Sequence, residues 1–99
     1  MFDVDINYPD STLIAAGHLD VGGVGPFLES ARALIAASDQ TILVDMAGVA
    51  FLDSSGLGAL VAAKNAADMK GLQLRLLNAS PRVLELIRMT GLSEVFPSV

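Results

Sequence analysis

A short apolar run in the middle of the chain constrains the fold most strongly. Thr41, Ile42, Leu43 and Val44 are continuous and rich in β-branched residues, which is typical of a strand buried on both faces of a sheet. Segments with helical periodicity precede and follow this run. A strand between two helices predicts an α/β domain in which helices pack against a sheet.

The N-terminal residues predict a β-hairpin. Apolar residues alternate with Asp and Asn from Phe2 to Tyr8, which indicates a strand with one buried face. A second, more apolar strand is expected from Thr12 to Leu19. The three residues between these strands, Pro9-Asp10-Ser11, favour a turn, so the two strands are expected to pair antiparallel.

Three helices and one further strand follow from the remaining patterns. The first helix is predicted from Pro26, a residue suited to the first helical position, to about Ala37. The second runs from Ser54 or Ser55 to about Met69. A strand over residues 72–76 precedes a third helix, which Ser80 caps, Pro81 opens and Gly91 ends. The tail over residues 92–99 is expected to add a short strand or turn.

The predicted element order is therefore β-β-α-β-α-β-α with a short tail, in a single domain over residues 1–99. The hairpin contributes an antiparallel pair, and right-handed crossovers make the later strands parallel. The fold class is thus α/β, with a mixed β-sheet packed with helices. Hydrophobic residues make up 53% of the sequence, which is enough to build a core without covalent cross-links.

Composition excludes several classes of function. The chain has no cysteine, so disulfides and thiolate chemistry are absent. A net charge of −5 disfavours binding to nucleic acid. The N-terminus lacks the basic region of a signal peptide, and no apolar stretch reaches the roughly 18 residues of a membrane span. We expect a cytoplasmic protein with no membrane insertion.

One segment stands out as a candidate site, at the point where a loop becomes the second helix. Free backbone N–H groups and the helix dipole converge there. Either Asp53 or Ser54 can cap the helix, while Gly56 and Gly58 keep the surface low, so that another backbone can approach. Plain helix capping explains the same residues equally well. The whole segment reads Asp53-Ser54-Ser55-Gly56-Leu57-Gly58.

The segment does not fit the common catalytic motifs. A phosphate-binding loop requires a lysine before its Ser or Thr, and a nucleophile elbow requires Gly-x-Ser-x-Gly. The only histidine is His18, and no group of residues has the spacing of metal ligands. We therefore expect a binding protein without catalytic residues, metal or cofactor.

Residues 44–58 resemble the signature of STAS domains, and more narrowly that of anti-sigma factor antagonists. Gly17-His18-Leu19-Asp20 is similar to an earlier element of that family, and residues 72–77, 80–83 and 90–92 are similar to later ones. The resemblance spans nearly the whole chain and implies the STAS fold.

The resemblance implies a partner switch that regulates transcription in a stress response. Members of this family bind an anti-sigma factor that is also a serine kinase, and thereby release a sigma factor. The kinase phosphorylates the serine directly before the glycine, here Ser55 with Ser54 ranked second, and a phosphatase reverses this. The implied partner-binding residues are Asp20, Asp53, Ser54, Ser55, Gly56, Leu57, Gly58 and Val61.

Leu57 and Val61 lie within about 40° of each other on a helical wheel. We expect both to be partly exposed and to contact the partner, although burial of both in the core remains an equal alternative.

Two features depart from the family pattern. Residues 21–25 are rich in glycine, which predicts a more flexible loop before the first helix. The chain also ends at Val99, where many members continue into a last helix, so part of the core is expected to be open or covered by a second copy in a homodimer. A different function, as a constitutive STAS subunit of a lipid-transporting ABC system, is the alternative.

Overall fold

The computed structural model describes residues 1–96. Their elements follow the predicted order. They are β1 (Phe2–Asn7), β2 (Thr12–Leu19), α1 (Val21–Ala37), β3 (Ile42–Leu52), α2 (Ser54–Met69), β4 (Leu74–Leu77) and α3 (Pro81–Met89).

The four strands form one mixed sheet in the order β1-β2-β3-β4. β1 pairs antiparallel with β2, and β2, β3 and β4 are parallel, as predicted. Leu19 and Leu52, the last residues of β2 and β3, are register partners. The two strands therefore end side by side, which brings the starts of α1 and α2 together.

Helices α1 and α2 cover one face of the sheet and pack against each other. α1 lies over β1 and β2, and α2 lies over β3 and β4. The core between the two layers is apolar, and its largest fully buried side chains are Phe27, Leu13, Leu19, Leu34, Ile42, Met46, Leu60, Leu76 and Val44.

Strand β3 differs from the prediction in burial and in length. Leu43 is only half-buried, whereas Ile42 and Val44 are buried, so the expectation of burial on both faces is wrong for the first part of this strand. The strand continues for 11 residues. It accommodates one extra residue beyond Asp45 and another near its end, at two shifts of register against β2. The Asp45 carboxylate stabilises the first irregularity, because Oδ1 accepts a hydrogen bond from the N–H of Ala47 at 3.0 Å.

The start of α1 also differs from the prediction. The helix begins at Val21 rather than Pro26, so the glycine-rich residues 21–25 form its first turn and not a flexible loop. Asp20 caps this turn by accepting a hydrogen bond from the N–H of Gly22 at 3.0 Å. Gly23 packs on Phe2 so closely that a Cβ would lie 3.0 Å from the aromatic ring. This packing favours a glycine in a position where helix propensity alone disfavours it.

Helix α3 and the following residues agree with the sequence patterns. Ser80 caps α3 by accepting a hydrogen bond from the N–H of Val83 at 3.2 Å, and Pro81 is the first helical residue. Beyond Gly91 the chain forms a turn in which Phe96 is 4% exposed. The predicted tail is therefore a turn as far as Phe96, and its last three positions lie outside the described residues. No helix among residues 1–96 has the length and apolar character needed to cross a membrane.

Candidate functional site

Two aspartates stand next to each other at one end of the sheet. Asp20 follows Leu19, and Asp53 follows Leu52, its register partner. Since neighbouring strands lie about 4.8 Å apart, the two carboxyl groups belong to one small surface. The sequence pattern did not establish this proximity, which follows from the parallel pairing of β2 and β3.

Both carboxylates cap a helix. The Oδ1 of Asp53 accepts a hydrogen bond from the N–H of Gly56 at 3.0 Å, as Oδ1 of Asp20 does from Gly22. Of the two predicted caps for α2, Asp53 is therefore the one used, and Ser54 is the first helical residue. Two helix N-termini, each with a partial positive charge, thus lie side by side, and each is capped by one carboxylate.

The two serines are exposed at the start of α2. Ser54 and Ser55 are its first two residues, and both face solvent. Within residues 1–96, neither hydroxyl forms a hydrogen bond, and the backbone N–H groups of both serines also lack an acceptor. A group attached to either hydroxyl would find free donors close by.

The two glycines of the segment have different roles. Gly56 is buried, and a Cβ there would lie 2.0 Å from the carbonyl oxygen of Leu19. The backbone that approaches Gly56 is thus the domain's own, which corrects the expectation that this residue keeps the outer surface low. Gly58 is exposed, and a Cβ there would meet nothing within 4 Å, so this residue borders open space.

Leu57 belongs to the core. It is 4% exposed, so the expectation that it is partly exposed is wrong and the alternative of burial holds for this residue. α2 is rich in alanine and glycine, and the rotation that buries Leu57 and Leu60 against the sheet leaves Val61 half-buried at the edge of the core. Val61 therefore retains the partial exposure that was predicted for it.

Two exposed apolar side chains near the site were missed. Val21, the first residue of α1, is 78% exposed, and it follows Asp20 as Ser54 follows Asp53. Phe51 is 46% exposed, and its ring lies 5.7 Å from that of His18. The sequence could have indicated Val21 as an apolar residue next to the helix cap Asp20. The glycine-rich residues 21–25 instead led to a prediction that the helix begins at Pro26.

His18, the one histidine of the sequence, is exposed near the end of β2. Its exposed ring packs against Phe51, and it forms no hydrogen bond with Ser54 or Ser55.

The sequence of the chain is similar to those of known proteins. The family model described as STAS domain matches residues 2–99. The anti-sigma-B factor antagonist of Bacillus subtilis (strain 168) is 30% identical over 93 residues, which cover 94% of this chain and 84% of that protein.

Two solved structures show the same fold. An anti-sigma factor antagonist from Mycobacterium paratuberculosis has a TM-score of 0.78 and 22% identity, covering 99% of this chain and 85% of its own. The Bacillus cell fate determinant SpoIIAA in its phosphorylated form has a TM-score of 0.70 and 21% identity, covering 100% of this chain and 91% of its own.

Proposed function

Because the chain belongs to the STAS domain family, we propose that it is an anti-sigma factor antagonist controlled by phosphorylation of Ser55. In its unmodified form it binds an anti-sigma factor that is also a serine kinase, and a sigma factor is released. A phosphatase that acts on phosphorylated Ser55 restores binding. The domain itself has no catalytic role.

The exposed, unbonded hydroxyl of Ser55 at the second position of α2 carries this proposal. A kinase can reach such a hydroxyl without unfolding the helix. Phosphorylation adds about −1.5 to −2 charges and three acceptor oxygens. The free N–H groups of the first helical turn and the helix dipole accommodate a phosphate at this position, so the modified domain keeps its fold.

The partner surface consists of the starts of α1 and α2. Val21 and Val61 supply exposed apolar surface, Gly58 leaves the surface flat, and Ser54 and Ser55 add two exposed hydroxyl groups. A phosphate on Ser55 places a group that is costly to desolvate at the centre of this surface. Asp20 and Asp53 add like charge beside it, which further opposes docking of a partner on the phosphorylated form.

Kinase treatment of the purified domain tests this proposal. The cognate anti-sigma factor and ATP should add one phosphate to the wild-type chain, and tandem mass spectrometry should place it on Ser55. Ser55→Ala should abolish labelling and bind the anti-sigma factor constitutively, whereas Ser54→Ala, a matched control one residue away, should still be labelled. The absence of phosphate from both serines would overturn the proposal.

A constitutive STAS subunit of a transport system would behave differently. It would need no phosphorylation, and Ser55→Ala would have no consequence for its assembly. The exposure of both hydroxyls and the similarity to an anti-sigma-B factor antagonist favour the regulated function.

A further inference from the structure

A groove lies between the end of β3 and helix α3. Its volume is about 250 Å³, and Phe51, Val83, Leu86 and Met89 contribute its apolar lining. Phe51 is 46% exposed and Met89 is 72% exposed, so part of this lining faces solvent. A groove of this size can accept a large apolar side chain of another protein.

One wall of the groove is an open strand edge. β4 pairs with β3 only along Ile42–Asp45. Within residues 1–96, no strand pairs with residues 48–52 on the side away from β2. Such an edge presents backbone N–H and C=O groups to which an extended segment of another chain can add.

The rim of the groove carries an available positive charge. Arg82 forms no hydrogen bond or ion pair with any of residues 1–96. Glu85, on the same rim, is occupied by Arg88, whose Nε lies 3.3 Å from its Oε2. The hydrogen bond from Arg88 and its charge hold the pKa of the Glu85 carboxyl below its ordinary value. In a chain with a net charge of −5, this rim is thus locally complementary to a carboxylate.

The groove adjoins the start of α2. Leu52 contributes to its lining and is followed directly by Asp53, the cap of the helix that carries Ser55. A segment bound in the groove would therefore contact the residue directly before the cap of the helix that carries the proposed phosphorylation site.

We propose that this groove binds an extended segment of the anti-sigma factor that carries a large apolar side chain next to an acidic residue. The apolar side chain fills the space between Phe51 and Met89, and the carboxylate pairs with Arg82. Contacts along residues 48–52 hold the backbone of the segment. The assignment rests on the proposed function, since it identifies how the same partner is recognised.

Calorimetric titration of the unphosphorylated full chain with the anti-sigma factor tests this assignment. Arg82→Glu should raise Kd at least about tenfold, because it replaces attraction by repulsion of a carboxylate. Met89→Glu should raise Kd about fivefold or more, because it places a charge in an apolar contact. Both side chains are exposed, so circular dichroism should show that the variants remain folded.

Two matched controls distinguish recognition from a general effect of charge. Arg32→Glu makes the same charge change as Arg82→Glu, but on the exposed side of α1. Met69→Glu makes the same substitution as Met89→Glu, and each methionine is the last residue of its helix, α2 or α3. Both controls should leave Kd within about twofold of wild type. Amide NMR signals of residues 48–52 should shift when the anti-sigma factor is added.

The possible failures can be separated by including Ser55→Glu. If Arg82→Glu and Met89→Glu match their controls while Ser55→Glu prevents binding, the groove assignment is wrong and the switch stands. If Ser55→Glu also binds like wild type, the proposed function is wrong, and the groove assignment fails with it.

Discussion

The α-carbon of Gly56 lies so close to Leu19 that a Cβ would come within 2.0 Å of the Leu19 carbonyl oxygen. This contact joins the first turn of α2 to the end of β2. Since Asp20 follows Leu19 and Ser55 precedes Gly56, the contact also fixes the distance between the two halves of the proposed partner surface. A backbone oxygen cannot move aside as a side chain would, so the position requires glycine.

Substitution of Gly56 by alanine should therefore destabilise the domain. The expected loss in free energy of unfolding is about 1–3 kcal/mol, as for other overpacked positions. Gly58→Ala, two residues along the same helix, meets nothing within 4 Å and should stabilise it by up to about 1 kcal/mol, because alanine is the better helix former. Urea denaturation of both variants measures the difference. Equal stabilities would contradict the packing argument.

The same Gly58→Ala variant should bind the anti-sigma factor more weakly. Its new methyl group would stand on the exposed surface between Ser55 and Val61, where close approach of a partner is proposed. A gain in stability together with a loss of affinity would separate the two roles of glycine in this segment. Unchanged affinity would place Gly58 outside the interface.

Local patterns predicted most of the fold because each element carries its own signals. β2 has the predicted bounds, Thr12–Leu19, and the cap Ser80 with Pro81 correctly placed the start of α3. The start of α1 was missed because its stability depends on a distant residue. Gly23 is a poor helix former, and the packing of Phe2 against it explains why a glycine stands in the first turn that Asp20 caps.

The candidate site was predicted in part for a similar reason. A helix cap is a property of a few adjacent residues, so Asp53 could be named as one of two possible caps, whereas the choice of Ser55 came from the family resemblance and stays a prediction. The burial of Leu57 depends on how α2 rotates against the sheet, and its many alanines give the helix no clear apolar face. The groove beside Phe51 depends on where α3 packs, which no local pattern specifies.

Lys70 should contribute to stability through the end of α1. Its Nζ donates hydrogen bonds to the carbonyl oxygens of Ile35, Ala36 and Ser38 at 2.8, 2.9 and 2.7 Å. The Ile35 carbonyl also accepts the N–H of Ser38 at 3.2 Å, and the positive charge of Lys70 faces the negative end of the helix dipole. Lys70→Met should lower the free energy of unfolding by about 1–3 kcal/mol.

Lys64→Met is the matched control for this prediction. Lys64 forms an ion pair with Asp68 on the exposed side of α2, and such pairs contribute about 0–1 kcal/mol. Guanidinium denaturation should show a clearly lower midpoint for Lys70→Met than for Lys64→Met. Equal midpoints would show that the Lys70 hydrogen bonds do not stabilise the folded chain.

Ser38 should be important for the attachment of the hairpin to α1. Its hydroxyl donates to the carbonyl of Leu34 at 2.7 Å and accepts from the hydroxyl of Ser11 at 3.0 Å. Ser11 and Ser38 are 2% and 6% exposed, so water cannot easily replace a lost partner. Ser38→Ala should cost about 1–3 kcal/mol, whereas Ser93→Ala at an exposed position should change stability by less than about 0.5 kcal/mol. Thermal denaturation of the two variants provides the measurement.

The cap of α2 should depend on the oxygen of Asp53 and not on its charge. Asn retains an acceptor for the N–H of Gly56, so Asp53→Asn should be almost as stable as wild type, whereas Asp53→Ala should lose about 0.5–2 kcal/mol. Urea denaturation distinguishes the two outcomes. A loss in Asp53→Asn as large as in Asp53→Ala would mean that the negative charge near the helix dipole, and not the hydrogen bond, provides the stabilisation.

Ser55→Glu should abolish partner binding without weakening the fold. Its carboxylate lies in the first turn of α2, where the dipole stabilises negative charge by about 0.3–1 kcal/mol, and the neighbouring Asp20 and Asp53 offset part of that gain. The free energy of unfolding should therefore remain within about 0.5 kcal/mol of wild type, while titration with the anti-sigma factor shows no binding. Raising the salt concentration should reduce any difference in stability, because all three carboxylates are near solvent. A variant that both unfolds readily and fails to bind would show that the modification acts by disrupting the helix, and that the surface charge is not the cause of release.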